Sequence, residues 1–128
     1  YSSFDWRVLK EIKNIDPKIS RAYLTSDLKG IVNNKSPWLD FIPLYNSDSR
    51  ELPRLIKALG GKAWHPKSKD INKDMVKISH EEGLAVNVWT VNEKYEMFKM
   101  IEYGVDGIIT DYPLRLKKLC EDEGINWF

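Results

Sequence analysis

The sequence is poor in the features that mark several large classes of protein. A single cysteine, Cys120, excludes an internal disulfide. No apolar run approaches the roughly 18 residues of a membrane-spanning helix, so we expect no transmembrane segment. The net charge of +1 favours neither nucleic acid nor an anionic membrane surface as a partner. A glycine-rich phosphate loop and the motifs G-x-S-x-G and C-x-x-C do not occur.

The composition that remains is that of one globular domain. Hydrophobic residues make up 42% of the 128 residues, enough to fill a core, and charged residues make up 30%, enough to cover it. The most informative stretch runs from residue 83 to residue 113. Residues 84–91 form an apolar, β-branched run of the kind found in strands covered on both faces. Residues 105–110 form a second such run, so we expect a parallel sheet.

Between these two runs the pattern changes to that of a helix. Met97, Phe98 and Ile101 have the spacing of one buried helical face, and Gly104 is placed to end the helix. Asn92 and Asp111 each precede a predicted helix, and their short polar side chains are expected to cap it. The stretch therefore reads as a βαβ unit followed by a further helix.

The rest of the chain repeats this unit. One predicted strand ends at Phe4, and others begin near residues 21 and 62. Asp5 and Asn72 are predicted helix caps. The helix after Asp5 is expected to bury four apolar residues, which are Val8, Leu9, Ile12 and Ile15. Residues 36–46 contain two prolines and predict an insertion with a helical turn or two. Residues 47–49 are predicted to cap the next helix. Residues 125–128 are expected to dock on the core.

Two motifs in this pattern resemble a known family. WTVN, followed by GVDGIITDYP, resembles the closing segment of the glycerophosphodiester phosphodiesterases, and SSFDW with the helix ending at Asp16-Pro17 resembles the middle of the same proteins. The resemblance covers nearly all 128 residues. It implies a TIM barrel that uses a divalent metal to hydrolyse glycerophosphodiesters to an alcohol and glycerol phosphate.

The resemblance also implies that much of the barrel lies elsewhere. A (β/α)₈ barrel needs about 250 residues, so we interpret residues 1–128 as the C-terminal half of a TIM (β/α)₈ barrel in the α/β class, with the N-terminal half of the barrel as its missing partner. The family's working histidines belong to upstream motifs, HRG and HD, and neither string occurs here. Its metal carboxylates also lie upstream. We therefore expect no catalytic residue and no metal ligand in this chain, Mg²⁺ or Ca²⁺ bound elsewhere in the complete enzyme, and no activity from the fragment alone.

Three residues are predicted to contact a glycerophosphodiester substrate. Active sites of TIM barrels lie at the carboxyl ends of the strands, and Phe4, His65 and Trp89 all fall there. The resemblance places Trp89 and Phe4 on the wall of the substrate pocket, where an indole offers apolar surface and one hydrogen bond. The alternative role for Trp89 and Phe4 is ordinary packing inside the barrel. An imidazole at His65 is suited to contact phosphate, although a lone histidine is more often structural.

Several other residues and two other functions stay open. His80 is expected at the surface, and Asp106 at the amino end of its strand, where it would serve stability. One alternative function is another phosphate-handling TIM barrel, such as a phospholipase-D-like relative. The second is a self-contained doubly wound α/β domain that binds a partner or nucleotide where the strand order reverses.

Overall fold

Strands and helices alternate along the chain in the computed structural model, which describes residues 1–26 and 49–126. The predicted insertion at 36–46, most of the predicted cap at 47–49 and the last two residues of the terminal segment lie outside this range. The strands are β1 (Ser2–Ser3), β2 (Ala22–Thr25), β3 (Ala63–Pro66), β4 (Ala85–Val88) and β5 (Gly107–Ile108). The α-helices are α1 (Trp6–Ile15), α2 (Leu52–Ala58), α3 (Lys73–Glu81), α4 (Lys94–Tyr103) and α5 (Pro113–Asp122), and short 3₁₀ turns occupy Ser49–Glu51 and Ser68–Asp70.

The five strands in the described ranges are parallel, and each after β1 lies beside the described strand that precedes it in the chain. The pairing register joins Ser3 to Tyr23, Leu24 to His65, and Asn87 to Gly107. A doubly wound sheet would reverse its strand order at a switch point, and the described strands show no reversal. The doubly wound alternative is therefore wrong, and the order is that of neighbouring strands in a barrel.

The helices cover one face of the sheet and form the core with it. Trp64 on β3 and Val86 and Val88 on β4 have no exposed surface, and they pack in one cluster with the helical residues Leu9, Ile56, Val76 and Met97. Because side chains alternate along a strand, the residues between these buried positions face the other way. We call the helix-covered side the convex face and the opposite side the concave face.

The indole N–H groups of two core tryptophans are hydrogen-bonded. The indole N–H of Trp64 donates to Thr25 Oγ1 at 2.9 Å, and the indole N–H of Trp6 donates to the carbonyl of Leu24 at 3.1 Å. The rings of Trp6 and Tyr23 meet edge to face, with centroids 4.9 Å apart. Such pairing lets large aromatic side chains fill the core without leaving a buried donor unpaired.

The local signals at helix ends are largely confirmed. The Asp5 side chain accepts from the backbone N–H of Arg7, Asn72 Oδ1 accepts from that of Met75, and Gly104 ends α4 with φ of 80°. Each of these three groups bonds or turns within one turn of the chain.

Three of the residues predicted for the core prove to be exposed. Val8 is 47% exposed and Ile15 is 82% exposed, because the buried face of α1 is centred on Trp6 and Leu9. Phe98 is 37% exposed, since α4 buries Met97 and Met100 instead. Within the described residues no helix combines the length and apolar character needed to cross a membrane.

Candidate functional site

The predicted site residues lie together on the concave face, toward the carboxyl ends of the strands. His65 follows the buried Trp64 and therefore points away from the helices, and the register pairs it with Leu24 on β2. Trp89 follows Val88, directly beyond the end of β4, and is bridged to Lys67 on the neighbouring segment. Phe4 follows directly after β1. The structure thus brings together all three residues predicted to contact substrate, from three different strands.

Phe4 and Trp89 form an aromatic pair across this face. Their ring centroids are 5.3 Å apart and the planes meet at 85°, an edge-to-face contact. The two strands that carry them, β1 and β4, are three positions apart in the sheet, which in a flat sheet is about 14 Å. The contact is therefore possible because the sheet is strongly curved, as it is in a barrel.

The indole N–H of Trp89 is already engaged within the chain. It donates to the backbone carbonyl of His65 at 2.9 Å. We predicted that this N–H would serve as a hydrogen-bond donor to a ligand, but in the structure it orients the ring instead. Trp89 is partly exposed, and Phe4 is 43% exposed. The two rings therefore offer apolar surface to a ligand, and neither offers an unpaired donor.

A row of polar side chains crosses the concave face next to this pair. Ser2 Oγ lies 3.0 Å from His65 Nδ1, and Asn87 Nδ2 lies 3.0 Å from His65 Nε2. At the next strand a Cβ on Gly107 would overlap Asn87 Oδ1, so only glycine leaves room for this amide. One imidazole thus links β1 to β4 across the curved sheet.

The partners of His65 determine where its proton lies. An amide nitrogen can only donate, so Nε2 of His65 must accept, and a neutral ring then carries its proton on Nδ1 and donates it to Ser2 Oγ. Burial lowers the pKa of His65 below its ordinary value of 6.5, because desolvation penalises the charged ring. Both ring nitrogens are occupied, so direct contact with a phosphate would require one of these bonds to break.

Asn87 is one of the site residues that sequence reasoning missed. It is the one polar residue in the strand Ala85–Val88, and polarity at an alternate position of an otherwise apolar strand is the signal that points to it. Ser2 and Gly107 were likewise not predicted to take part. Their roles follow from pairing between strands distant in sequence.

Asn92 and Asp111 join two loops at the carboxyl rim and do not cap helices as predicted. Asn92 Oδ1 accepts from Thr110 Oγ1 at 3.1 Å and from the backbone N–H of Asp111 at 3.0 Å, while Asn92 Nδ2 donates to Asp111 Oδ2 at 2.8 Å. The Arg115 guanidinium donates to the Asn92 carbonyl and lies over the Tyr112 ring, 4.3 Å from its centroid. This network fixes the loop after Trp89 to the loop before α5.

His80 and Asp106 lie at the opposite end of the strands. Asp106 Oδ2 accepts from the backbone N–H of Val86 at 2.7 Å and lies 2.8 Å from His80 Nε2. His80 is exposed, as predicted, and Asp106 ties the start of β5 to β4. This arrangement supports the structural role predicted for Asp106.

The described residues do not assemble a metal site. Within residues 1–26 and 49–126, no three His, Cys, Asp or Glu side chains converge as a ligand set. Hard divalent cations require several oxygen ligands, so the side chains of these two ranges do not fit such an ion by themselves.

Comparison with known proteins gives one consistent result. Residues 1–115 match the model of the Glycerophosphoryl diester phosphodiesterase family. A glycerophosphodiester phosphodiesterase of Caldanaerobacter subterraneus subsp. tengcongensis is 28% identical over 126 residues, which cover 97% of this chain and 52% of that protein. The chain thus spans about half the length of the curated relatives that it matches along its whole length.

Solved structures agree with this result. A proposed glycerophosphoryl diester phosphodiesterase from Silicibacter pomeroyi DSS-3 superposes with a TM-score of 0.82 at 34% identity, over 99% of this chain and 39% of that one. An Oleispira antarctica phosphodiesterase solved with the product sn-glycerol-3-phosphate superposes with a TM-score of 0.69 at 21% identity, over 94% of this chain and 40% of that one. The fold class predicted from the sequence is confirmed, and the chain belongs to the glycerophosphoryl diester phosphodiesterase family.

Proposed function

We propose that this chain forms part of a metal-dependent phosphodiesterase that hydrolyses glycerophosphodiesters to an alcohol and glycerol phosphate. The observation that carries the proposal is the Phe4–Trp89 pair at the carboxyl rim of a chain whose residues 1–115 match the family. The product complex of the Oleispira antarctica protein supports glycerol phosphate as the ligand class. Phe4 and Trp89 would form the apolar wall against the carbon skeleton of the glycerol unit.

His65 is the third residue predicted to bind substrate, and it lies behind this wall. Its carbonyl holds the Trp89 indole and its ring holds Ser2 and Asn87. General acid–base catalysis needs a titratable group within hydrogen-bonding reach of the proton that moves. Since both ring nitrogens of His65 are already bonded within the chain, we assign no catalytic residue to this chain. We propose that Mg²⁺ or Ca²⁺ and the acid–base groups come from the remaining part of the barrel.

Reconstitution tests the proposal directly. The 128-residue chain is mixed with the segment of the Caldanaerobacter subterraneus relative that it does not match, and release of glycerol phosphate from a glycerophosphodiester is measured with Mg²⁺, with Ca²⁺ and with a chelator. We expect the chain alone to be inactive and the mixture to show activity that the chelator removes. Activity of the chain alone, or a mixture no more active than its parts, would contradict the proposal. Lysophospholipid as a second substrate distinguishes the phospholipase-D-like alternative.

Variants of the reconstituted barrel test the aromatic wall. Trp89→Ala should raise KM for the glycerophosphodiester more than it lowers kcat, because the ring contacts a part of the substrate that does not react. Tyr95→Ala is the matched control, since Tyr95 lies on the exposed side of α4 with 71% of its surface accessible. Equal effects of the two substitutions would argue against a wall at Trp89.

A further inference from the structure

Two connections cross the concave face side by side, and they join the same two strands. The first is the polar row Ser2–His65–Asn87, and the second is the aromatic pair Phe4–Trp89. Phe4 lies two residues after Ser2, and Trp89 lies two residues after Asn87. Since alternate residues of a strand share a face, the polar row lies directly beneath the aromatic pair.

His65 takes part in both connections. Its ring bonds to Ser2 and Asn87 at 3.0 Å each, and its backbone carbonyl accepts the indole N–H of Trp89 at 2.9 Å. Without the polar row, side chains on β1 and β4 would be held at their close separation by the Phe4–Trp89 ring contact and the backbone ladder alone. A weak edge-to-face contact is worth only about 1 kcal/mol.

We propose that His65 is a positioning residue, which in its neutral Nδ1–H form clasps β1 to β4 and thereby holds the Phe4–Trp89 pair in place. Its role as support for a substrate wall rests on the function proposed above, whereas the clasp itself does not. Asn87 sets the tautomer, because its amide nitrogen needs an acceptor at Nε2. Gly107 leaves the space in which that amide lies.

The same geometry makes the clasp sensitive to acid. A proton added at Nε2 would face the Asn87 amide N–H group, so two donors would meet and the bond would be lost. The charged groups that line this part of the face are the Tyr1 ammonium, Arg21 and Lys62, and all are cations. The Tyr1 ammonium opposes the positive charge that protonation would place on the ring, and no carboxylate lines this part of the described face to stabilise it.

Nitrogen NMR of the uniformly ¹⁵N-labelled 128-residue chain tests the proposal. Long-range ¹H–¹⁵N correlations should show His65 as the neutral Nδ1–H tautomer near pH 7. His80, exposed and paired with Asp106, serves as the internal comparison. An Nε2–H tautomer or a charged ring at His65 would overturn the proposal.

Variants test whether the clasp holds the aromatic pair. His65→Leu should weaken the Phe4–Trp89 ring NOE and speed solvent exchange of the Trp89 indole N–H about tenfold, the factor that corresponds to about 1.4 kcal/mol. His65→Gln offers an acceptor and a donor and should restore much of the contact, whereas His80→Leu should change nothing at Trp89. No change in either Trp89 signal upon His65→Leu would overturn the proposal.

Acidification of the wild type provides a second measurement that does not require a variant to fold. Protonation of His65 should produce the same Trp89 changes as His65→Leu, and that pH dependence should be absent from the His65→Gln variant. A Trp89 signal that does not change as His65 becomes protonated would overturn the proposal. If these signals behave as expected but His65→Leu leaves KM of the reconstituted barrel unchanged, then the proposed substrate wall fails while the clasp stands.

Discussion

The two faces of the sheet differ in composition and in completeness. On the convex face Trp64, Val86 and Val88 are fully buried against helices. On the concave face His65 and Asn87 are polar and only partly buried, and Phe4 is 43% exposed. The convex face therefore has its partners within this chain, whereas the concave face presents groups whose remaining neighbours would come from a ligand or from other strands of a barrel.

This difference indicates how the fold separates stability from function. Burial of apolar surface contributes about 25 cal/mol per Å², and the described residues concentrate that burial on the convex face. The concave face instead holds directional contacts, such as the 2.9 Å bond from Trp89 to the His65 carbonyl. We expect substitutions on the convex face to lower the free energy of unfolding. Substitutions on the concave face should mainly displace the side chains of the candidate site.

Trp64→Ala should have the largest effect on stability. Trp64 has no exposed surface, and its indole donates to Thr25 Oγ1. The substitution would leave a large cavity and an unpaired hydroxyl, so the free energy of unfolding should fall by about 3–5 kcal/mol or the chain should not fold. Urea unfolding followed by circular dichroism measures this change. Phe4→Ala, on the concave face, is the matched control and should cost less than half as much.

Gly107→Ala should be the most damaging small substitution on the concave face. The new Cβ would overlap Asn87 Oδ1 and lie 3.0 Å from Asn87 Cγ, so the amide must move. We expect a loss of about 1–3 kcal/mol in the free energy of unfolding, typical of overpacking, together with loss of the bond to His65. In the Asn87→Ala background the same substitution should cost much less. Additive effects of the two substitutions would contradict a direct clash.

Asn92→Ala should lower the free energy of unfolding by about 1–2 kcal/mol, because it removes the hydrogen bonds at the carboxyl rim. The amide makes three side-chain hydrogen bonds to Thr110 and Asp111 in a partly exposed place, and each such bond contributes about 1 kcal/mol or less. Asn92→Asp should cost more near pH 7, because it would place a second carboxylate beside Asp111. That extra cost should shrink in acid. Chemical denaturation near pH 7 and in acid measures the loss of stability caused by Asn92→Asp. An equal loss at the two pH values would contradict repulsion between the two carboxylates.

Stability should also depend on pH through His65, with a smaller effect. Burial lowers the pKa of His65 below 6.5 in the folded chain, so between the two values the unfolded chain binds more protons than the folded chain. The free energy of unfolding must then rise with pH in that window. We expect stability to fall as the pH drops below about 6.5, with the slope reduced in His65→Gln and retained in His80→Gln. An unchanged slope in His65→Gln would contradict this assignment.

Signals between residues close together in the sequence predicted most of the fold. The apolar β-branched runs predicted parallel strands, and Asp5, Asn72 and Gly104 marked helix ends because their partners lie within one turn. The prediction failed where a side chain had a distant partner. Asn92 and Asp111 both looked like caps, but they bond to each other across 19 residues of sequence.

The candidate site was predicted in part for the same reason. The family resemblance and the rule for barrel strands placed Phe4 and Trp89 at one rim, and the structure places their rings in contact. The partners of His65 could not be predicted, because Ser2 and Asn87 come from strands 63 and 22 residues away. Only the pairing register, together with the curvature of the sheet, brings these side chains together.

The smallest effects should come from the outward surfaces of the helices, which belong to neither face of the sheet. Lys77 and Glu81 on α3, and Lys117 and Glu121 on α5, form i,i+4 pairs at 3.9 Å, and both members of each pair are mostly exposed. Lysine precedes glutamate in each, the weaker orientation for such a pair. Charge removal by Lys77→Met or Lys117→Met should change the free energy of unfolding by less than about 0.5 kcal/mol. A loss above about 1 kcal/mol, measured by urea unfolding at low and high salt, would show that the helix surfaces stabilise this chain beyond what the convex face supplies.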